Sequence, residues 1–348
     1  MHIVHVNFAR GFRGGERQTL NLMHGLSNLG HKQTLVCRPS SELMRRSFHE
    51  TNATIITSKH PLLGHRNTPR ADIIHVHEAR GAYWALLEFA LRGIPYIITR
   101  RVVNPISSSW LTRKVYAKAS VLAGVSADVA LRLSAQTIRK VEVILDSCSS
   151  LNPSFDEVKR IRENLGGSPI IGHVGVLHDK VKSQSTLIKA FALLTEKLPQ
   201  ARLVLVGSGS DEIALKTFAA NDKRIVFAGQ QNNVADWLAA MDVFAFPSRV
   251  EALGSSVLDA MILSVPVVAS SAGGLPEITG ANERGLTVSD QDPASWSTAI
   301  LRLLEDDALQ SRLVEAGKKF AEENNVDAHA KRYLSLYEHM LKSTLAST

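Results

Sequence analysis

Residues 2–37 read "HIVHVNFARGFRGGERQTLNLMHGLSNLGHKQTLVC", and they decide the fold class. "HIVHVN" alternates as a strand does. "ARGFRGG" breaks that period, and from Glu16 to Leu29 apolar side chains recur at Leu20, Leu22, Met23, Leu26 and Leu29, a helical stripe closed by Gly30. "QTLVCRP" is again a strand. This βαβ opening calls for a parallel sheet.

More such units follow, with strands "DIIHVH", "PYIITRR" and "SVLAGVS" separated by helices "AYWALLEFALRG" and "WLTRKVYAKA". After Val143 the pattern loosens through "SCSSLNPSF", a helix runs near Asp156 to Leu165, and Gly166-Gly167 stops it. A second alternation starts at "PIIGHVGVL" and continues through "ARLVLVG", "RIVFAG", "VFAFPS" and "PVVASS", each preceded by a helical stretch, to a short strand "GLTV"; a helix from about Pro293 to Leu304 and two more complete the chain. The expected fold is α/β, two Rossmann-like parallel-sheet domains facing across a cleft, with the boundary between residues 150 and 170. No sequence repeat relates the two.

The bulk numbers agree. A chain of 348 residues suits two domains of about 150 each. Hydrophobic content of 45% and charged content of 21% describe an ordinary soluble globular protein, with disorder expected only in the C-terminal "STLAST". Two cysteines, Cys37 and Cys148, exclude a disulfide framework or a four-cysteine zinc site and fit a reducing cytoplasm. The N-terminus lacks a signal-peptide pattern, and no apolar run approaches the roughly 18 residues of a membrane span. The formal net charge of +7 admits a polyanionic partner, yet no nucleic-acid-binding signature accompanies it. Nucleic acid is therefore not expected. Basic residues gather at Arg100-Arg101 and Arg113-Lys114-Lys118, which suits an acidic membrane surface or acceptor, or a generally basic surface.

Ligands of open parallel sheets bind past the carboxyl ends of the strands. "GFRGGE" lies at such an end; it lacks the spacing of the dinucleotide fingerprint and of the P-loop, but Gly14-Gly15 at a helix N-terminus leaves amides for a phosphate. The competing reading is a plain strand-to-helix turn in which Glu16 favours the positive helix end. In "HVHEAR", His75 and His77 share one strand face, and a metal would need a third ligand that the sequence does not supply; no metal is expected. Arg100 and Arg101 suit an anionic group or plain solvation. Of Lys180 and Lys182 in "HDKVKSQ", one is a candidate for a diphosphate and the other is surface. Asp290-Gln291-Asp292 resembles a metal motif, but Asp292-Pro293 reads as an N-cap and first helical proline.

"RVEALGSSVLDAM", residues 249–261, sets Glu251 and Asp259 around Gly254-Ser255-Ser256. Either Asp259 closes a capping box from Ser256, or the helix amides take a phosphate and the two acids take hydroxyls beside it.

These stretches, with "GGERQTLNLMHGLSNLGH", "STLIKAFALL", "ARLVLVGSGSD", "VFAGQQNNVADWLAAMDVFAFPS" and "GGLPEITG", resemble in order the retaining glycosyltransferases of family four, which have the GT-B fold. The resemblance implies transfer of a sugar from a nucleotide diphosphate sugar, with no cofactor and no obligatory metal. It places Glu251 at the donor sugar hydroxyls, Asp259 in place of a ribose-binding glutamate, Gly254, Ser255 and Ser256 at the sugar and diphosphate, Lys182 at the leaving diphosphate, and Gly14 and Gly15 at the donor phosphates. Gly175 and Gly207 are assigned to the donor as well, His77 and Arg101 to catalysis, Glu16 and Arg100 to the acceptor. Val176 stands where many relatives have arginine, and Arg101 where many have a histidine, so that histidine's role is not carried over. The domains are then expected at 1–160 (acceptor side), 166–325 (nucleotide sugar) and 326–348, a helix packing back on the first domain.

"ITRRV" with "GSSVLDAM" looks like a bacterial branch associated with lipopolysaccharide and surface glycans, which implies a glycan or lipid-linked acceptor and a cytoplasmic enzyme in peripheral contact with the inner membrane. An epimerase or phosphorylase of the same architecture, or a non-catalytic nucleotide-sugar-binding protein, are the alternatives.

Overall fold

A computed structural model describes residues 1–345; positions 346–348, which end both "STLAST" and the expected C-terminal helix, lie outside the described residues. The elements in chain order are β1 (His2–Asn7), α1 (Gly14–Asn28), β2 (Lys32–Cys37), α2 (Glu42–Glu50), β3 (Thr54–Thr57), β4 (Ile73–Val76), α3 (Gly81–Arg92), β5 (Tyr96–Arg100), α4 (Trp110–Lys118), β6 (Val121–Gly124), α5 (Ala127–Ser134) and β7 (Val141–Val143). Then come α6 (Phe155–Leu165), β8 (Ile170–Val174), α7 (Asp179–Lys182), α8 (Gln184–Lys197), β9 (Arg202–Val206), α9 (Glu212–Phe218), β10 (Ile225–Gly229), α10 (Val234–Ala239), β11 (Val243–Phe246) and α11 (Ser255–Ile262). The last are β12 (Val267–Ser270), α12 (Leu275–Thr279), β13 (Leu286–Val288), α13 (Pro293–Glu305), α14 (Asp307–Glu323) and α15 (Val326–Leu345).

Two compact units result: Met1–Ser147 together with the chain from Asn324 onward, and Cys148–Glu323. Each is a parallel sheet, ordered β3-β2-β1-β4-β5-β6-β7 in the first and β10-β9-β8-β11-β12-β13 in the second. The strand order reverses between β1 and β4 and again between β8 and β11, so each unit has a topological switch point.

The units divide about a dozen residues before the expected boundary, because α6 belongs to the second. Arg162 ties it to Asp242 at 3.1 Å and to the Ala240 carbonyl at 2.6 Å, while Ser154 N donates to Asp236 at 2.7 Å. In the first unit α15 lies along α1, so close at Gly25 that a Cβ there would stand 2.7 Å from that of Ala330. Its Tyr333 and Tyr337 are fully buried in a core with Ile3, Leu22, Leu26, Ile73 and Ile97. The sequence reading passes over α2, β3, α5, β7, α7 and α12; α7 and α12 are helices of four and five residues, and β3 and β7 are edge strands of four and three residues, only half buried, with too little alternation to register.

Candidate functional site

In the second unit the loop after β11 and the short α7 after β8 meet at the switch point. Lys182 Nζ pairs with Glu251 Oε2 and sits 4.7 Å above the Phe246 ring, a cation–π contact that fixes the ammonium from its other side. Backbone pins both partners: Arg249 N donates to the Val181 carbonyl at 2.8 Å, Arg249 Nε to Ser183 Oγ at 2.9 Å, and Ala252 N to Glu251 Oε1 at 3.1 Å. Both side chains stay about 15% exposed, Lys182 at 14% and Glu251 at 15%, so the pair is dry on most sides yet open to a ligand. Lys180, by contrast, is solvent-exposed, which separates the two lysines that the sequence leaves equivalent.

Gly254, with φ +96°, turns the chain into α11, and no side chain caps that helix. The amides of Ser255 and Ser256 thus open a helix N-terminus beside Glu251. Gly273, with φ +53°, passes so close behind Glu251 that a Cβ would overlap the Glu251 carbonyl oxygen. Gly207 at the end of β9 likewise leaves room for the Gly175 carbonyl after β8.

Asp259 does not close a capping box. The helix starts one residue before Ser256, which puts Val257 at the third helical position. The carboxylate instead accepts Ser149 N at 2.7 Å and holds the segment that leads out of the first unit's chain. Asp292 is the N-cap expected of it, accepting Ser295 N at 3.3 Å ahead of Pro293.

In the first unit the switch point gathers Gly14, Gly15, Glu16, His77 and Arg101. α1 starts at Gly14, and Glu16 Oε2 accepts the Arg13 amide at 2.9 Å, so this carboxylate closes its own helix. Gly15 lies against Arg101: a Cβ there would be 3.9 Å from Arg101 Cδ. Arg101 Nε donates to Asp146 at 2.9 Å, with both side chains 7% exposed; burial presses the guanidinium pKa down, and Asp146, with Tyr333 and Glu16, more than offsets it and holds the pKa above its usual value. Arg101 Nη2 is buried without a hydrogen-bond partner. Arg100, on the opposite strand face, turns away to the Tyr116 hydroxyl at 3.0 Å and to the Asn104 carbonyl.

The histidines form a buried chain whose protons can be assigned. Arg101 only donates, so His77 Nδ1, 3.1 Å from Nη1, accepts. His77 Nε2 then carries the proton and donates to His5 Nδ1 at 3.0 Å, leaving His5 Nε2 to donate to Gln33 Oε1 at 3.0 Å. The Gln33 amide group agrees, donating to the Met23 carbonyl and to Ser27 Oγ, each at 2.8 Å. His75 sits in register with His5 on the neighbouring strand and bonds Tyr337 OH at 2.6 Å and Thr99 Oγ1 at 2.7 Å. Burial holds all three neutral, His5 at a pKa of about 3 and the other two well below the ordinary histidine value.

His5 is the third histidine the sequence could not supply, and the three rings could geometrically converge on an ion. Every ring nitrogen already has a protein partner, however, and the Arg101 cation adjoins them, so the residues fit a hydrogen-bonded support for Arg101 better than a metal centre. Glu78 is also occupied, accepting the amides of Phe8, Arg80 and Gly81 at 3.1, 2.7 and 2.6 Å.

The structure thus unites Glu251, Lys182, Gly254, Ser255 and Ser256 in one unit, and Gly15, Glu16, His77 and Arg101 in the other. Arg100 stands apart. Sequence reading missed Phe246, Arg249, His5, Gln33 and Asp146; of these only Arg249, beside Glu251, carried a local signal.

Residues 12–145 match the family described as Glycosyltransferase Family 4, and residues 168–306 the family described as Glycosyl transferases group 1. The GDP-mannose-dependent monoacylated alpha-(1-6)-phosphatidylinositol monomannoside mannosyltransferase of Corynebacterium glutamicum is 31% identical over 57% of this chain and 58% of its own length. The 2-deoxystreptamine glucosyltransferase of Streptomyces kanamyceticus is 27% identical over 78% of each. Among solved structures, the Anabaena protein HepE in complex with UDP-glucose superposes with a TM-score of 0.81 at 18% identity, covering all of both chains, which establishes a common GT-B fold.

Proposed function

We propose that this chain, a glycosyltransferase of the family 4 type, moves a sugar from a nucleotide diphosphate sugar to a glycan or lipid-linked acceptor, with retention at the anomeric carbon, in the making of lipopolysaccharide or another surface polysaccharide. The observation that carries the reading is the Lys182–Glu251 pair beside the uncapped N-terminus of α11. The hard step of such a transfer is departure of a nucleoside diphosphate while positive charge builds on the sugar. Amides at a helix N-terminus and a fixed ammonium stabilise that leaving anion, without reorganising as it forms.

On this reading the bond from C1 to the phosphate oxygen breaks as the acceptor oxygen bonds C1 on the same face, and the acceptor's proton passes to the departing phosphate. Lys182 and the amides of Ser255 and Ser256 face the diphosphate, and Glu251, freed from Lys182 as the anion binds, faces the sugar hydroxyls. Gly175 and Gly207, packed against one another after β8 and β9, border the donor. Asp259 is engaged with Ser149, so any hold on a ribose must be shared with that amide. His77 orients Arg101, whose spare Nη2 donor suits a polar group of the substrate. The reading requires no obligatory metal, and it locates the enzyme in the cytoplasm against the inner membrane.

The experiment is a thermal-shift panel of UDP-, GDP- and ADP-sugars against the wild type, Lys182→Ala and Glu251→Ala. One donor should raise the Tm of the wild type by linkage and do so much less in both variants. Product from that donor should carry the donor's anomeric configuration by proton NMR. A donor that stabilises all three proteins equally would remove Lys182 and Glu251 from the site.

A further inference from the structure

Between Phe89 and Ala127 the chain has no Asp or Glu and six Lys or Arg. In the folded unit Arg92 pairs with Glu88 at 3.4 Å, Arg101 withdraws into its pair with Asp146 and Arg100 bonds Tyr116. What remains on the surface is α4, with Arg113, Lys114 and Lys118 all exposed and none ion-paired among the described residues. Trp110 opens this helix at 73% exposure, and Ile138 on the loop after α5 is 97% exposed. Beside α4 runs a groove of about 640 Å³ with Ile106, Tyr116 and Ile138 on its apolar walls and Arg113 as its charged side chain. Cations beside exposed tryptophan and isoleucine, over a stretch free of carboxylates, do not suit plain solvation; an indole and aliphatic groups in water cost free energy that an interface recovers.

We propose that this face docks on an anionic bilayer, with α4 lying in the headgroup layer, Trp110 and Ile138 dipping below it, and Arg113, Lys114 and Lys118 meeting lipid phosphates. The surface-parallel geometry follows from the make-up of α4: nine residues cannot span a bilayer, but a short helix with a basic face and an aromatic at one end can lie in its interface. The inference deepens the proposed function, since a lipid-linked acceptor is reached from such a surface. It stands on different residues from the donor site, so the two can fail separately.

The test is sedimentation of the full chain with vesicles of phosphatidylcholine alone and of phosphatidylcholine with one third phosphatidylglycerol, with no donor or acceptor present. Binding is expected only to the anionic vesicles, and it should fall in 1 M NaCl. The variant R113A/K114A/K118A should weaken it by roughly a hundredfold, given about fivefold per lost cation. K318A/K319A, two exposed lysines on α14 of the other unit, serves as the control and should bind as wild type. Brominated lipid should quench the wild-type tryptophan fluorescence and lose most of that effect in Trp110→Phe, because Trp84 and Trp296 are fully buried and Trp237, half-buried, lies on α10 of the other unit. Equal binding to both vesicle types, no binding to either, or equal losses in the α4 and α14 variants would each overturn the proposal; the donor-shift panel would be unaffected.

Discussion

Acid should loosen the first unit far more than the second, and buried histidines set the size of the effect. Burial holds His5 and His329 at pKa values of about 3, against about 6.5 in an unfolded chain. Below pH 6.5 the unfolded chain therefore takes up protons that the folded unit refuses. Their stabilising effect is complete above pH 6.5, and it is lost as pH falls toward 3. At pH 5 the loss is about 2 kcal/mol for each, hence about 4 kcal/mol for the two. His75 and His77, also depressed by burial, act in the same direction. In the second unit only His173 is comparable, at about 4, and its loss at pH 5 is about 2 kcal/mol. Glu78 and Asp146, pushed up by burial, have the opposite sign, and acidification relieves part of their cost.

Hydrogen exchange reads the two units separately. From pH 7.5 to 5, after correction for intrinsic rates, amides of β1 and β4 should lose protection by about a thousandfold, and those of β8 and β11 by about thirtyfold. A drop of equal size in both sheets, or less than tenfold in the first, would refute the reasoning, because the histidines would then be accessible to protons in the folded state.

Two substitutions test the second unit's site from behind. Gly273→Ala places a Cβ against the Glu251 carbonyl at a left-handed φ of +53°, and should cost about 2 kcal/mol or more by urea unfolding while abolishing the donor-induced Tm shift. Asp259→Ala strands the buried Ser149 amide and should cost about 1–3 kcal/mol, whereas Asp259→Asn, which keeps an acceptor oxygen, should cost less; equal costs for the two would mean that the Ser149 bond contributes little.

The two parallel sheets and most of their strands could be read from periodicity, because strands such as "HIVHVN" and "ARLVLVG" and the helices between them each complete their pattern within one local stretch; the strand order could not. The candidate sites were legible only where polar residues follow a strand end, as with Glu251 and Gly254. Arg100 and Arg101 look alike as neighbours, yet strand alternation sends one to a buried carboxylate and the other to the surface. The histidine chain was hidden for a different reason: His5 and His75 are seventy residues apart and meet only through the β1–β4 register. Asp259 was ambiguous because a capping box depends on which residue begins the helix, and Gly254, with its left-handed backbone, begins it earlier than Ser256 would.

The two switch points hold their cations differently, and that difference bears on their roles. Arg101 is locked: its carboxylate partner is as buried as it is, His77 accepts from one nitrogen, and separating the pair would strand a charge in a dry interior at a cost of several kcal/mol. Such a group cannot trade its partner for a ligand, and only its spare Nη2 hydrogen can read one. Lys182 is held by a partly exposed carboxylate and an aromatic face, so an incoming diphosphate can replace Glu251 while Phe246 keeps the ammonium in place. On the proposed reading, exchanging one anion for another at a fixed cation releases Glu251 to accept hydroxyls as the donor arrives. Charge stabilisation in the proposed transfer therefore falls to Lys182 and the α11 amides, and Arg101, with its histidine chain, positions and selects.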